Sequence, residues 1–186
     1  APYLMCCSDC ETVAIKEVLA LEAGAQEKLL DLALNYSETW GATPLREAIA
    51  GTYKTIKAEQ VLVHAGAEEA IFTFAMAMPA EAHVIVMTPA YQSLYAIAES
   101  RGLEVSRWEL RDGDTAWEVD LTQLKGLIKA STKAVVVNCP HNPTGFQFSR
   151  DEFDTLVDIC RAHSLILFCD EVYYGLDLGH GVLPRA

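Results

Sequence analysis

The order of apolar and polar positions divides the chain into short apolar runs separated by stretches of helical period. Runs at residues 61–64, 83–87, 104–108, 133–138 and 165–169 predict strands. Several are apolar at almost every position, as a strand buried on both faces requires. Between them Ile71, Phe74, Ala75 and Met78 recur at helical spacing, as do Leu94, Ile97 and Ala98 ahead of Gly102, which predicts a helix stop. Ser149 and Glu152 form a capping-box pair, and Phe153, Leu156, Val157 and Cys160 follow on one helical face. Strands alternating with helices predict an α/β fold, a mainly parallel sheet with helices packed over its faces. No repeat or low-complexity stretch interrupts the pattern.

The N-terminal part reads differently. Ile15, Val18 and Leu19 mark one helix and Pro44, Leu45, Ala48 and Ile49 another, with the polar stretch from Tyr36 to Gly41 between them. No linker composition separates this part from the sheet. The predicted organisation is an N-terminal arm or helical segment over residues 1–55 and an α/β domain over 56–186, which the resemblance given below makes an incomplete large domain.

Composition narrows the function classes. With 186 residues, 51% of them hydrophobic, the chain can bury one substantial core and is not of the disordered class. Its 14 basic and 26 acidic residues give a net charge of −12, which repels a phosphate backbone, so nucleic acid is not an expected partner. No apolar run approaches the roughly 18 residues of a membrane span, and the start lacks the basic-then-apolar pattern of a secretory leader. The expectation is a soluble, cytoplasmic protein without a membrane partner. Of six cysteines, Cys6, Cys7 and Cys10 are clustered, but no Cys/His pair at ligand spacing follows, so no metal site is expected. Cys139, Cys160 and Cys169 lie in apolar stretches and read as reduced, small hydrophobes.

Candidate chemistry gathers after the runs. Pro140, His141, Asn142, Pro143, Thr144 and Gly145 follow one of them closely, and ligands in open α/β sheets collect beyond the carboxyl ends of strands. Taken alone, Asn142 to Gly145 reads better as an ordinary turn than as a site. The last run passes directly into Asp170, Glu171, Val172 and Tyr173 with no turn residue between. A helix of about 14 residues separates the two segments, long enough for one right-handed crossover, so Asn142 and Asp170 should emerge side by side. Upstream, small residues let the amides of Gly66, Ala67 and Glu68 approach an anion at a helix start, although many such turns bind nothing. Tyr91, after Pro89 and Ala90, either stacks on a ligand or simply packs.

Asn-Pro-Thr-Gly at 142–145, followed one helix later by Asp-Glu-Val-Tyr at 170–173, resembles the signature of class I/II, fold-type-I pyridoxal-phosphate-dependent aminotransferases. The two upstream segments add to the likeness. The resemblance implies a three-layer α/β/α, mainly parallel sheet of the pyridoxal-phosphate-dependent transferase type, truncated here. It implies that Asp170 binds the pyridinium nitrogen of pyridoxal 5'-phosphate and that Asn142 and Tyr173 hydrogen-bond its ring oxygen. Gly66, Ala67 and Glu68 would cradle the phosphate, and Tyr91 would stack on the ring. Tyr36, ahead of Gly41, Pro44, Leu45 and Arg46, is similar to the family tyrosine that reaches the phosphate of a neighbouring subunit, which implies a homodimer with shared sites. The alternative for Tyr36 is a surface tyrosine in a polar loop. A carboxylate against the ring nitrogen keeps it protonated and preserves the electron sink that stabilises negative charge at the substrate's α-carbon.

The implied activity of the full-length parent is transfer of an amino group from an amino acid to a 2-oxo acid. The alternatives are a pyridoxal-phosphate-dependent lyase, a non-catalytic fragment that binds the cofactor or a partner, and an unrelated α/β ligand-binding domain. The departures from the family matter. No lysine follows Tyr173, so the Schiff-base lysine is absent and no catalytic residue is assigned. The family's basic phosphate ligand and its C-terminal arginine for the substrate carboxylate have no match either. Lys125, Lys129 and Lys133 lie upstream in another crossover and do not substitute, so the chain alone is expected to be inactive. The family sheet also inserts two later strands between strands coded here, leaving an interrupted sheet. Its exposed edge predicts rearrangement, oligomerisation or association with a complementary chain.

Overall fold

The computed structural model of the protein describes residue 8 and residues 12–176. Cys6, Cys7 and Cys10 lie outside the described residues. The chain divides into two compact units, Ala1–Ala42 and Thr43–Ala186. In the first, α1 (Ile15–Leu19) and α2 (Ala25–Leu30) are short, neither contains a buried residue, and Gly24 between them has a left-handed φ of 77°.

The second unit holds the sheet. Helix α3 (Thr43–Ala50) and a 3-10 turn (Ala58–Gln60) lead into α4 (Ala67–Ala77), β1 (His83–Thr88), α5 (Ser93–Ser100) and β2 (Glu104–Glu109). A two-residue hairpin, β3 (Arg111–Asp112) with β4 (Trp117–Glu118), precedes α6 (Leu121–Leu127), β5 (Thr132–Asn138), α7 (Arg150–Ala162) and β6 (Ile166–Asp170). The main sheet has the order β2-β1-β5-β6 with every pair parallel. From β1 the chain steps outward to β2, then returns past β1 to β5. The change of direction falls between β1 and β5, and such a switch point opens a crevice at the strands' carboxyl ends.

Alternation along β1 decides the layers. Val84 and Val86 meet Ile71 and Met78 of the α4 segment and Leu94 and Ala98 of α5. Ile85 and Met87 face the opposite cluster, with Trp108, Val135 and Val137, Leu124 of α6, and Phe153, Leu156 and Ile159 of α7. Helices therefore cover both sheet faces, which is why β1 and β5 read as unbroken apolar runs. At the amino ends of the strands a buried imidazole closes the sheet: His83 Nδ1 lies 2.7 Å from Thr132 Oγ1 on β5, and Nε2 lies 2.8 Å from Ser106 Oγ on β2.

Four of the five expected strands form within a residue or two of their predicted bounds, and helices α4, α5 and α7 form where the periodic residues predict them. Ser149 caps α7 as the sequence predicts, accepting from Glu152 N–H while the Glu152 carboxylate accepts from Ser149 N–H at 2.7 Å. Gly102 stops α5 with φ 85°, its amide donating to Glu99 O. The exception is 61–64, which forms no strand. Its backbone begins extended, with Val61 at φ −101° and ψ 127°, but among the described residues no neighbouring strand offers a ladder. An extended segment becomes a strand only by pairing. Among the described residues strand β6 is an edge of the sheet, with Ile166 about half exposed.

The cysteines in this unit are unbridged: Cys160 is buried, and Cys139 and Cys169 are half-buried against the same core. Burial pushes the Cys160 thiol up to about 11. Burial, reinforced by the nearby Glu171 carboxylate, raises Cys169 to about 12. The nucleophile in alkylation is the thiolate, so both should resist reagent at pH 8 in the folded chain and react in denaturant. Peptide mapping after iodoacetamide treatment checks this. Rapid labelling of Cys169 in the native chain would contradict the burial described here.

Candidate functional site

The candidate segments that carry Tyr91, Asn142 and Tyr173 leave the sheet at the carboxyl ends of β1, β5 and β6. Strands β5 and β6 are in register so that Asn138 stands opposite Asp170. The crossover through α7 thus delivers the two following segments together. Asn142 Nδ2 lies 3.3 Å from Tyr173 Oη, which brings the predicted amide and phenol into contact. Asp170 closes β6, partly buried. Among the described residues its carboxylate accepts one hydrogen bond, from Val172 N–H at 3.1 Å. Burial raises its pKa above the ordinary aspartate value, opposed by that single bond.

Two residues that sequence reasoning passed over hold this arrangement. Asn138 is buried at the end of β5; its Nδ2 donates to Asp170 O at 2.9 Å and its Oδ1 accepts from Asn142 N–H at 2.7 Å. One amide therefore fixes the main chain on both sides of the site. The available signal was an asparagine closing a wholly apolar run, since a buried amide must find partners. His141, also buried, reaches in the other direction. Its Nε2 is 2.7 Å from Pro89 O and its Nδ1 is 2.7 Å from Thr144 Oγ1. The turn closes through Gly145 N–H to His141 O at 2.8 Å, and Gly145 has φ 73°, a conformation in which a side chain is strained.

Tyr91 stands just before α5, half exposed, in the segment that His141 holds. Gly66, Ala67 and Glu68 form the start of α4, with Gly66 at φ 95° and no atom within 4 Å of where a Cβ would sit. Ser93 Oγ donates to Glu68 at 2.5 Å, and Glu69 accepts from Ala65 N–H at 2.5 Å. The helix start thus carries two carboxylates, which complement its dipole but would oppose an anion, so Glu68 can serve a phosphate only through its amide. Hydrogen bonds between Glu68 and Ser93, Pro89 and His141, Asn142 and Asn138, and Asn138 and Asp170 link the start of α4 to the segments that follow β1, β5 and β6. Tyr36 belongs to the first compact unit and is fully exposed. A cleft of about 790 Å³ is lined by Thr115–Glu118 of the hairpin region and residues 144–150 and 152, and none of the predicted site residues lines it.

A partly buried carboxylate without a cationic partner among the described residues, ending the strand next to the one that leads to an amide in contact with a phenol, suits an aromatic ring that presents a protonated nitrogen and a ring oxygen. The residues fit pyridoxal phosphate. The profile of the family "Aminotransferase class I and II" matches residues 11–184. The chain belongs to this family. A probable kynurenine–oxoglutarate transaminase of Saccharomyces cerevisiae is 35% identical over 79% of the chain and 37% of its own length. An aspartate aminotransferase of Bacillus subtilis is 30% identical over 77% and 38%. Among solved structures, a PLP-dependent aminotransferase from Streptococcus suis superposes with a TM-score of 0.81 at 30% identity, over 92% of this chain and 46% of that one. The aminotransferase-family chain thus spans less than half the length of these relatives. Pyridoxal 5'-phosphate is the cofactor that the family assignment brings with it.

Proposed function

We propose that this chain is the cofactor-binding part of an aminotransferase whose parent moves an amino group from an amino acid to a 2-oxo acid. The single observation that carries the reading is Asp170, a partly buried carboxylate without a counter-charge among the described residues, in register with the strand that leads to Asn142. Bound there, the cofactor supplies an electron sink for negative charge at the substrate's α-carbon. Asp170 holds the proton on the ring nitrogen through a charge-assisted hydrogen bond. Asn142 Nδ2 and Tyr173 Oη, already in contact, donate to the ring oxygen. The amides of Gly66, Ala67 and Glu68 receive the phosphate, and Tyr91 covers one ring face. Covalent attachment is not assigned to any of these 186 residues, because no lysine follows Tyr173.

A homodimeric, cytoplasmic parent belongs to the same proposal, with Tyr36 completing the phosphate site of a second subunit, 56–186 acting as the large domain and 1–55 as an arm. The free Cys139, Cys160 and Cys169 support a reducing compartment. The edge of β6, unpaired among the described residues, supports association with a second copy or a complementary chain. No helix among the described residues is long and apolar enough to cross a membrane.

An absorbance titration of the purified chain with pyridoxal phosphate tests the reading. Saturable binding is expected, and borohydride reduction followed by intact mass should show no adduct at one specific lysine. A chain that shows no saturation would sink the proposal.

A further inference from the structure

His141 has a chemical environment that fixes its protonation. A carbonyl oxygen only accepts, so the 2.7 Å contact with Pro89 O places a proton on Nε2. In a neutral ring Nδ1 is then an acceptor, and the partner 2.7 Å away, Thr144 Oγ1, must donate to it. The same hydroxyl oxygen accepts from Phe146 N–H at 3.1 Å, so the chain of donors is consistent from end to end. A second proton on Nδ1 would turn the Thr144 hydroxyl away from its acceptor. Burial also holds the imidazole below its ordinary pKa, although the Pro89 carbonyl pulls in the other direction.

The position of this ring matters more than its state. Pro89 follows β1 and His141 follows β5, so the Nε2 bond crosses the switch point between the two strands. On the β1 side the segment carries Tyr91; on the β5 side it carries Asn142. We propose that His141 is a positioning residue that sets the separation between the stacking ring of Tyr91 and the amide of Asn142, across the crevice that the cofactor ring enters. The proposal rests on the cofactor reading given above.

Three variants and one spectrum decide it. The fold-changes expected in pyridoxal-phosphate dissociation constant, with circular dichroism induced in the cofactor absorption band, report affinity and ring placement separately. H141L should raise the dissociation constant about tenfold, as loss of a buried hydrogen bond allows, and should diminish the induced band. H141Q keeps an Nε2 donor for Pro89 O and should recover most of both, which loss of fold stability alone would not produce. T144V, which removes only the hydroxyl donor, should fall between them. If H141L does not fold, H141Q and T144V carry the comparison. Nitrogen-15 NMR of the unsubstituted chain should show His141 neutral and protonated on Nε2 at pH 7. Wild-type affinity and wild-type induced band in a folded H141L or in both milder variants, or an Nδ1–H tautomer, would overturn the clamp while leaving the cofactor reading intact. Absence of saturable binding by the unsubstituted chain would overturn the cofactor reading and the clamp with it.

Discussion

Asp170→Asn should weaken pyridoxal-phosphate binding by about ten- to a hundred-fold while leaving the cofactor-free fold as stable at neutral pH, or slightly more so. The loss follows from exchanging a carboxylate for a neutral amide opposite the ring nitrogen, since hydrogen bonds to charged groups contribute about 1.5–3 kcal/mol. The gain follows from burial. Because the folded state raises the Asp170 pKa, it binds that proton more tightly than the unfolded chain does. The carboxyl's contribution to stability is therefore fully present below the unfolded value of about 4 and is lost as pH rises through the folded value. At pH 7.5 the ionised group is a burden that asparagine removes, while the oxygen that accepts from Val172 N–H is retained. Thermal unfolding of both forms across pH 4 to 8, with the absorbance titration at pH 7.5, measures the two effects. A D170N chain that melts well below the wild type at pH 7.5 would show that Asp170 stabilises the empty fold.

Trp108→Ala should cost about 3–5 kcal/mol, a large share of a domain stability of about 5–15 kcal/mol. Trp108 is fully buried on β2, its ring centroid 6.3 Å from that of Phe148, and its Nε1 donates to Asp120 O at 2.9 Å. Asp120 in turn caps α6, accepting from Thr122 and Gln123 N–H at 2.8 and 3.0 Å. Removing the indole therefore opens a cavity and unties the residue that starts the next helix. Trp108→Phe keeps an aromatic ring but leaves the Asp120 carbonyl without this donor, and should cost about 1–3 kcal/mol. Urea denaturation followed by far-ultraviolet circular dichroism orders the three proteins. Equal midpoints would contradict the packing described here.

The elements most legible in the sequence are those whose signal is local. Burial on both faces makes β1 and β5 apolar at nearly every position, and a Ser149–Glu152 cap announces α7. Residues 61–64 carry the same apolar signal as β1, yet pairing depends on which strand lies alongside, and that is not written locally. Helix α6 went unpredicted because it is short, contains Gly126 and buries only Leu124; Asp120 at its start was the available cue. At the site, Asn142, Asp170 and Tyr173 could be grouped in advance because one βαβ crossover dictates their neighbourhood. Asn138 and His141 could not, because their roles lie in partner choice. The Pro89 carbonyl is 52 positions from His141, and no spacing rule reaches that far. Tyr36 is beyond this kind of inference as well, since its proposed role requires a second subunit.

Strand β5 has a polar anchor at each end: Thr132 in the buried imidazole cluster with His83, and Asn138 among the site segments. Seven residues of strand put these anchors roughly 20 Å apart, with an apolar middle between them. Substitutions that far apart, sharing no partner, combine additively. The sheet thus separates robustness from chemistry along the length of a single strand: the His83 end can be strengthened or loosened without redrawing the ligand-facing end.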